Sequence, residues 1–136
     1  MVLEKSRKKT KEKKVKKLRE HSKWWYEDSF PVGIVDDNDK LIGVEAWRTE
    51  VYVTNKKSFY IAVYPVKYLY PARYMTEDIR KGWNYEIRAV DEYGEIFETY
   101  DYYIATGKYF KTLKEAKEKA LEKASKIRFP RYPRYD

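Results

Sequence analysis

The sequence predicts an α+β fold, in which an antiparallel sheet of about five strands packs against a C-terminal amphipathic helix. Three observations lead to this prediction. Apolar and polar residues alternate with period two through the middle of the chain, short polar segments separate these runs, and a helical apolar stripe follows them. A chain of 136 residues has room for one hydrophobic core, so we expect a single domain.

The first 23 residues carry all of the net charge. They contain eleven basic and three acidic side chains, a net charge of +8, whereas the rest of the chain has 19 of each. Residues 3–25 lack glycine and proline and are rich in lysine, glutamate and arginine, which predicts a helical arm. Because adjacent lysines in residues 1–14 repel each other and no apolar surface is buried there, we expect this part to be disordered until a partner binds.

The first strands are predicted from short apolar runs. Residues 32–35 and 41–44 are separated by acidic and amide side chains that favour turns, which indicates a β-hairpin. Residues 47–54 alternate between apolar and polar side chains, which predicts a strand with one buried face. A further strand is expected over residues 59–64, with an extended segment from Pro65 to Tyr70.

The second half of the chain predicts a short helical turn, a hairpin and a helix. Thr76 is suited to cap a turn that Gly82 ends. Residues 83–89 alternate as a strand, and a four-residue turn with Gly94 leads to a return strand over residues 95–106. A capping box at residues 112–115 then begins a helix whose apolar face extends to Ile127.

The lysine-rich arm is the first candidate binding site. Lysines at this density match a phosphate backbone without reading its sequence, so that affinity should fall steeply with salt. A solubilising tail and an arm that binds an acidic protein are the alternatives. The candidate residues are Lys8, Lys9, Lys11, Lys13, Lys14, Lys16, Lys17 and Arg19.

The C-terminal tail is the second candidate site. Residues 128–136 repeat arginine, an aromatic residue and proline with period three, which matches the three residues per turn of polyproline II. This arrangement joins cations for phosphate to rings for unstacked bases. The alternative is a tail whose rings are buried against the body. The candidate residues are Arg128, Phe129, Arg131, Tyr132 and Arg134.

The third candidate is the sheet face opposite the core. Tyrosines beside arginines on an open sheet would form a platform for single-stranded nucleic acid. Because tyrosine is also a good strand former and the arm has apolar side chains that could cover the sheet, the pattern favours the alternative, that this face is itself core or is covered by the arm. Residues 24–26 are expected to anchor the arm to the body, and a stacking site is the alternative for them. The candidate platform residues are Arg48, Tyr52, Tyr60, Tyr64 and Arg88.

Several chemistries have little support. The chain has no cysteine, which excludes disulfides, thiolate nucleophiles and cysteine-based zinc sites. Asp36, Asp37 and Asp39 form the best acidic cluster, but a hairpin turn explains them, and His21 has no second metal ligand. No apolar run approaches the roughly 18 residues of a membrane span, so we expect an intracellular, cytoplasmic protein without membrane contact. The low content of thermolabile residues is typical of hyperthermophile proteins.

These features together predict a non-enzymatic nucleic-acid-binding protein without cofactor or metal. Binding is expected to be largely independent of sequence, with aromatic stacking on single strands as a further contribution, and both DNA and RNA remain open. The alternative is a structural or assembly protein of a ribonucleoprotein, a virion or an acidic protein complex, latched by its basic ends. The expected parts are an arm (1–23), a domain (24–127) and an extended tail (128–136).

Overall fold

An antiparallel sheet with a helix across one face forms the body of the protein. The computed structural model describes residues 23–35, 38, 41–53, 57–69 and 76–129. The strands are β1 (Trp24–Val35), β2 (Leu41–Thr49), β3 (Tyr52–Val53), β4 (Ser58–Pro65), β5 (Trp83–Val90) and β6 (Ile96–Asp101). The helical elements are a 3₁₀ turn (Val66–Leu69), α1 (Glu77–Arg80), α2 (Tyr102–Thr106) and α3 (Leu113–Lys126).

The strand order is β1-β2-β4-β5-β6, and every pairing is antiparallel. The short strand β3 also pairs with β4, next to the stretch of β4 that pairs with β2. The predicted α+β architecture with a C-terminal helix is therefore confirmed. The β1–β2 hairpin and strand β5 are confirmed as well.

Local capping signals proved reliable. The Thr76 side chain accepts a hydrogen bond from the Ile79 backbone and caps α1. Thr112 accepts one from the Glu115 backbone at 3.1 Å and caps α3. Gly94 has a φ of +80°, a left-handed conformation that glycine adopts without steric cost. These signals act within one turn of chain, so the sequence alone is sufficient to specify them.

Other predicted boundaries were wrong. The predicted helix cannot extend to Trp25, because residues 24–27 pair with β2 as a strand. The strand predicted over residues 47–54 is interrupted after Thr49, whose hydroxyl accepts a hydrogen bond from the Ile61 backbone at 3.0 Å. At this point a side-chain oxygen, and not a backbone carbonyl of a neighbouring strand, accepts the hydrogen bond of the Ile61 N–H.

Two segments predicted as extended are helical. Residues 66–69 form the 3₁₀ turn, in which the Val66 N–H donates to the Gly82 carbonyl. The return strand ends at Asp101, whose carboxylate accepts a hydrogen bond from the Ile104 backbone at 2.9 Å and so begins α2. An N-terminal cap of this kind favours the helix over a continued strand.

The helix-side core lies between the sheet and α3. It is formed by alternate residues of β4 and β5 and by the apolar stripe of the helix, as the spacing predicts. Its buried members are Phe59, Ile61, Val63, Tyr85, Ile87, Phe110, Ala116, Ala120, Leu121 and Ala124. The small alanines let the helix approach the sheet closely.

The other side of the sheet, which we call the second face, is also buried. Phe30 of β1 lies 4.3 Å from the Arg88 guanidinium of β5, measured to the ring centroid. In a flat sheet these two strands would be about 14 Å apart, at three spacings of about 4.8 Å. The sheet is therefore curled, and two register shifts in β1 accompany the bend. The β1–β2 hairpin thereby covers Tyr60 and Tyr64 of β4.

Lys57 connects the start of β4 to the end of α3. Its Nζ donates hydrogen bonds to the carbonyls of Ala124, at 3.2 Å, and Ile127, at 2.5 Å. These carbonyls lie at the negative end of the helix dipole, so the ammonium both satisfies and neutralises them. The contact fixes the point where the C-terminal residues leave the helix.

We predict that Lys57→Met lowers the free energy of unfolding by about 1 kcal/mol, because the last carbonyls of α3 lose their cation. Lys57→Arg keeps the charge and should retain most of the stability. Urea denaturation followed by circular dichroism measures both. Equal stability of the Met variant and the original protein would show that the contact does not support the helix.

Candidate nucleic-acid interface

Charge is segregated within the body as well as in the arm. Residues 24–110 contain ten basic and fifteen acidic side chains, a net charge of −5. Residues 111–128, which comprise α3 and its flanks, contain seven basic and three acidic side chains, a net charge of +4. The near-zero net charge of the body therefore combines an acidic region, residues 24–110, with a basic region around α3. A polyanion is attracted to the basic region and repelled by the acidic one.

The lysines of α3 flank an acidic ridge. At 100° per residue, Glu115, Glu118 and Glu122 share the outer side of the helix, and lysines follow on both sides of them. Lys117 lies over the ring of Trp24 at 5.1 Å and over that of Trp47 at 4.6 Å. Burial lowers the pKa of Lys117. Its ammonium is thus held against two aromatic rings and has lost part of its hydration.

The arm joins the body at residues 23–26, which we call the arm root. Trp24 packs against the helix-side core, so it fastens the start of β1 to the body. Trp25, the next residue, lies on the other side of the strand and is 40% exposed. Tyr26 is exposed and makes an edge contact with the ring of Trp47 at 5.6 Å. Of the three residues predicted to anchor the arm, Trp24 therefore makes the core contact, whereas Trp25 and Tyr26 are exposed.

Arg48 is the functional candidate that lies beside the arm root. It stands opposite Trp25 in the β1–β2 pairing, and its guanidinium lies 5.3 Å from the Trp25 ring centroid. The guanidinium also lies 4.3 Å from the ring of Tyr60. Its Nη1 is 3.4 Å from Glu27 Oε1. Arg48 is half-buried and connects the exposed tryptophan to the interior.

The second face does not form an open tyrosine platform. Tyr60, Tyr64 and Arg88 do point away from α3, as alternation predicts, but they are only 7%, 0% and 5% exposed. The curled β1–β2 hairpin covers them with Phe30 and its neighbours. A base cannot stack on these rings while the sheet is folded, so this face is core, which was the stated alternative.

A hydrogen-bond network occupies the second face instead. The Tyr64 hydroxyl lies 2.7 Å from Glu86 Oε1 and 3.0 Å from Asp101 Oδ2, and it accepts a hydrogen bond from Asn84 Nδ2 at 3.0 Å. Arg88 Nε donates to Glu86 Oε2 at 2.7 Å. Burial and the two carboxylates raise the pKa of Tyr64 far above its ordinary value, so its hydroxyl stays protonated.

Arg88 holds this network to the covering hairpin. Its Nη1 donates to the Tyr60 hydroxyl at 3.2 Å, and its Nη2 donates to the Pro31 carbonyl of β1 at 2.5 Å. The guanidinium therefore joins β5 to β4 and to β1. Buried polar groups with complete partners of this kind define a single arrangement of the strands.

Two further site predictions are placed differently from expectation. Tyr52 lies on the helix side, with its ring 5.2 Å from that of Phe59, because the interruption after Thr49 changes which residues face the helix. Phe129 is half-buried against the helix-side core, whereas Arg128 is exposed. The part of the tail that is described therefore agrees with the packed alternative for its ring.

The remaining candidates lie outside the described residues. They are Lys8, Lys9, Lys11, Lys13, Lys14, Lys16, Lys17, Arg19, His21, Asp36, Asp37, Asp39, Arg131, Tyr132 and Arg134. Across the described ranges, no group of three or more acidic or histidine side chains is placed to hold a metal ion. None of the helices in this part of the chain has the length and apolar character needed to traverse a bilayer.

Sequence reasoning missed the contact between Trp25 and Arg48. The two residues are neighbours only because β1 pairs with β2 in this register. The sequence analysis predicted a helix over Trp25, and a helix excludes that pairing. Comparison with protein-family models, with curated proteins and with solved structures finds no match to this chain.

We predict that Arg88→Met lowers the free energy of unfolding by about 3–5 kcal/mol, because it leaves the Glu86 carboxylate buried without its cation. Adding Glu86→Gln should recover part of this loss, since a neutral amide oxygen still accepts from Tyr64. Chemical denaturation of both variants measures the difference. A loss below about 1 kcal/mol in the single variant would contradict a structural role for the ion pair.

The same network predicts a dependence of stability on pH. Burial raises the pKa of Glu86 above its ordinary value of 4.5, against the opposing effect of Arg88. A raised pKa favours folding while the group is protonated, and this contribution is lost as pH rises through the folded-state value. The original protein should therefore lose stability relative to Glu86→Gln as pH increases above 4.5. Unfolding curves across this range test the sign, and a difference that grows in favour of the original protein would contradict it.

Proposed function

We propose that this protein binds nucleic acid without catalysing a reaction, and that it holds the phosphate backbone with little sequence specificity. The observation that supports this most is the segregation of charge. A net charge of +8 lies in the 23 residues that precede β1, whereas residues 24–110 carry −5. A polyanion is drawn to the arm and to the basic region of α3, and the acidic sheet directs it away from the rest of the body.

The residue type of the arm favours phosphate over base recognition. Nine of its eleven basic residues are lysines, which contact phosphate as point charges and not through a planar, bidentate fork. If helical, 22 residues would extend about 33 Å, close to one turn of a duplex. Affinity should then depend on the number of phosphates neutralised and hardly on sequence.

The points where the two basic ends join the body lie against the same core. Trp24, where the arm meets β1, and Phe129, just after Arg128, both pack against the helix-side core. Between these points lies α3, which extends about 21 Å over its 14 residues. A strand of nucleic acid held by the arm can therefore follow the lysines that border the acidic ridge of α3 toward Arg128. This arrangement supports contact with both basic ends at once.

The test replaces seven arm lysines by glutamine in the full-length chain, at positions 8, 9, 11, 13, 14, 16 and 17. Binding to random-sequence oligonucleotides should weaken strongly, because each lost phosphate contact removes the release of a counterion. The slope of log affinity against log salt should flatten by up to about 6 if all seven contact phosphate. Fluorescence anisotropy over a range of salt concentrations measures both quantities.

The matched control replaces the same seven lysines by arginine, which keeps the charge and should keep the slope. Binding that is unchanged in the glutamine variant would contradict the proposal. So would a protein complex that survives nuclease treatment in gel filtration while oligonucleotides fail to bind, because that result favours the structural or assembly protein.

A further inference from the structure

We infer that Trp25 is a stacking site for an unpaired base and that the protein therefore prefers single-stranded nucleic acid. The inference rests on the proposed function and names the class of nucleic acid and the residue that recognises it. Trp25 lies at the arm root, directly after the most basic segment of the chain. A strand that is held by the arm lysines is thereby brought to its indole.

The indole is accessible and lies next to a cation. Trp25 is 40% exposed, and Arg48 lies over its ring at 5.3 Å. The guanidinium is in turn supported by the ring of Tyr60 at 4.3 Å, and Tyr60 is buried. Trp25 is therefore the exposed end of a series of contacts that runs through Arg48 to Tyr60 in the core of the second face. A base that stacks on the indole extends this series outward.

The indole is also held in place before any ligand binds. Glu27 Oε1 lies 3.4 Å from the Trp25 Nε1 and 3.4 Å from Arg48 Nη1, so that one carboxylate oxygen orients both groups. The cross-strand pairing of Trp25 with Arg48 fixes the backbone beneath them. A side chain that is fixed in this way loses little conformational freedom when a ligand stacks on it. Glu27 is accordingly a positioning residue for Trp25.

The bases of a duplex are stacked on each other, so their faces are not available to this indole, whereas an unpaired base can leave its strand. Stacking does not depend on charge, so its contribution should not change with salt. The arm and the tryptophan thus differ in measurable ways. Loss of arm lysines reduces the salt slope, and loss of the indole reduces single-strand affinity at every salt concentration.

The experiment compares Trp25→Ala and Trp25→Phe with the original full-length protein on a single-stranded oligothymidylate and on a duplex of equal length. Trp25→Ala should weaken single-strand binding by about 5- to 150-fold, with duplex binding and the salt slope unchanged. Trp25→Phe should restore most of the affinity. Tyr93→Ala, which removes a tyrosine that is 78% exposed in the turn before β6, is the control and should change neither. Circular dichroism melting confirms that each variant folds.

A second pair of variants tests the role of Glu27. Glu27→Gln and Glu27→Ala remove the same charge, but only glutamine keeps an oxygen that can accept from the indole. Single-strand affinity should be higher in the glutamine variant than in the alanine variant, and the additional replacement Trp25→Ala should abolish this difference. Equal affinity of the two Glu27 variants would overturn the positioning role.

The outcomes separate this inference from the proposed function. If the original protein binds both oligonucleotides and Trp25→Ala binds the single strand as well as Tyr93→Ala does, the stacking site is wrong and phosphate binding stands. If the original protein binds neither oligonucleotide, the proposed function and the stacking site are both wrong.

Discussion

The burial of the Arg88 guanidinium is the interaction on which the rest of the structure depends. A guanidinium has five N–H donors and is always charged, so it can lie inside a protein only where acceptors surround it. Glu86, the Tyr60 hydroxyl and the Pro31 carbonyl supply them from three different strands. The sheet must curl to bring these acceptors together, and the curl closes the second face.

Closing this face determines where the protein presents aromatic surface. Tyr60 and Tyr64 are buried in the core, and the contacts of Tyr60 with Arg48 and of Arg48 with Trp25 lead from there to an exposed indole at the arm root. The arm and the root would then act over different distances. Lysine charges attract a phosphate backbone over about 10 Å at moderate salt, whereas the indole acts only in contact.

The sequence was sufficient for features that depend on near neighbours. Period-two alternation identified β4 and β5, and Thr112 marked the start of α3, because both signals arise within a few residues. Alternation also placed Tyr60 and Tyr64 on the face away from the helix, but it does not report whether another strand folds over that face. Local helix propensity similarly predicted a helix over Trp25, because the sequence alone does not show the pairing with β2 that makes this residue part of a strand.

Photo-crosslinking of the full-length protein to a single-stranded oligonucleotide, followed by mass spectrometry of the crosslinked peptides, tests the account most directly. It reports which side chains contact bases without changing any residue. The account predicts crosslinks within residues 1–23 and at Trp25 of the arm root. Crosslinks confined to other exposed aromatic residues, such as Tyr93 in the turn before β6, would contradict it.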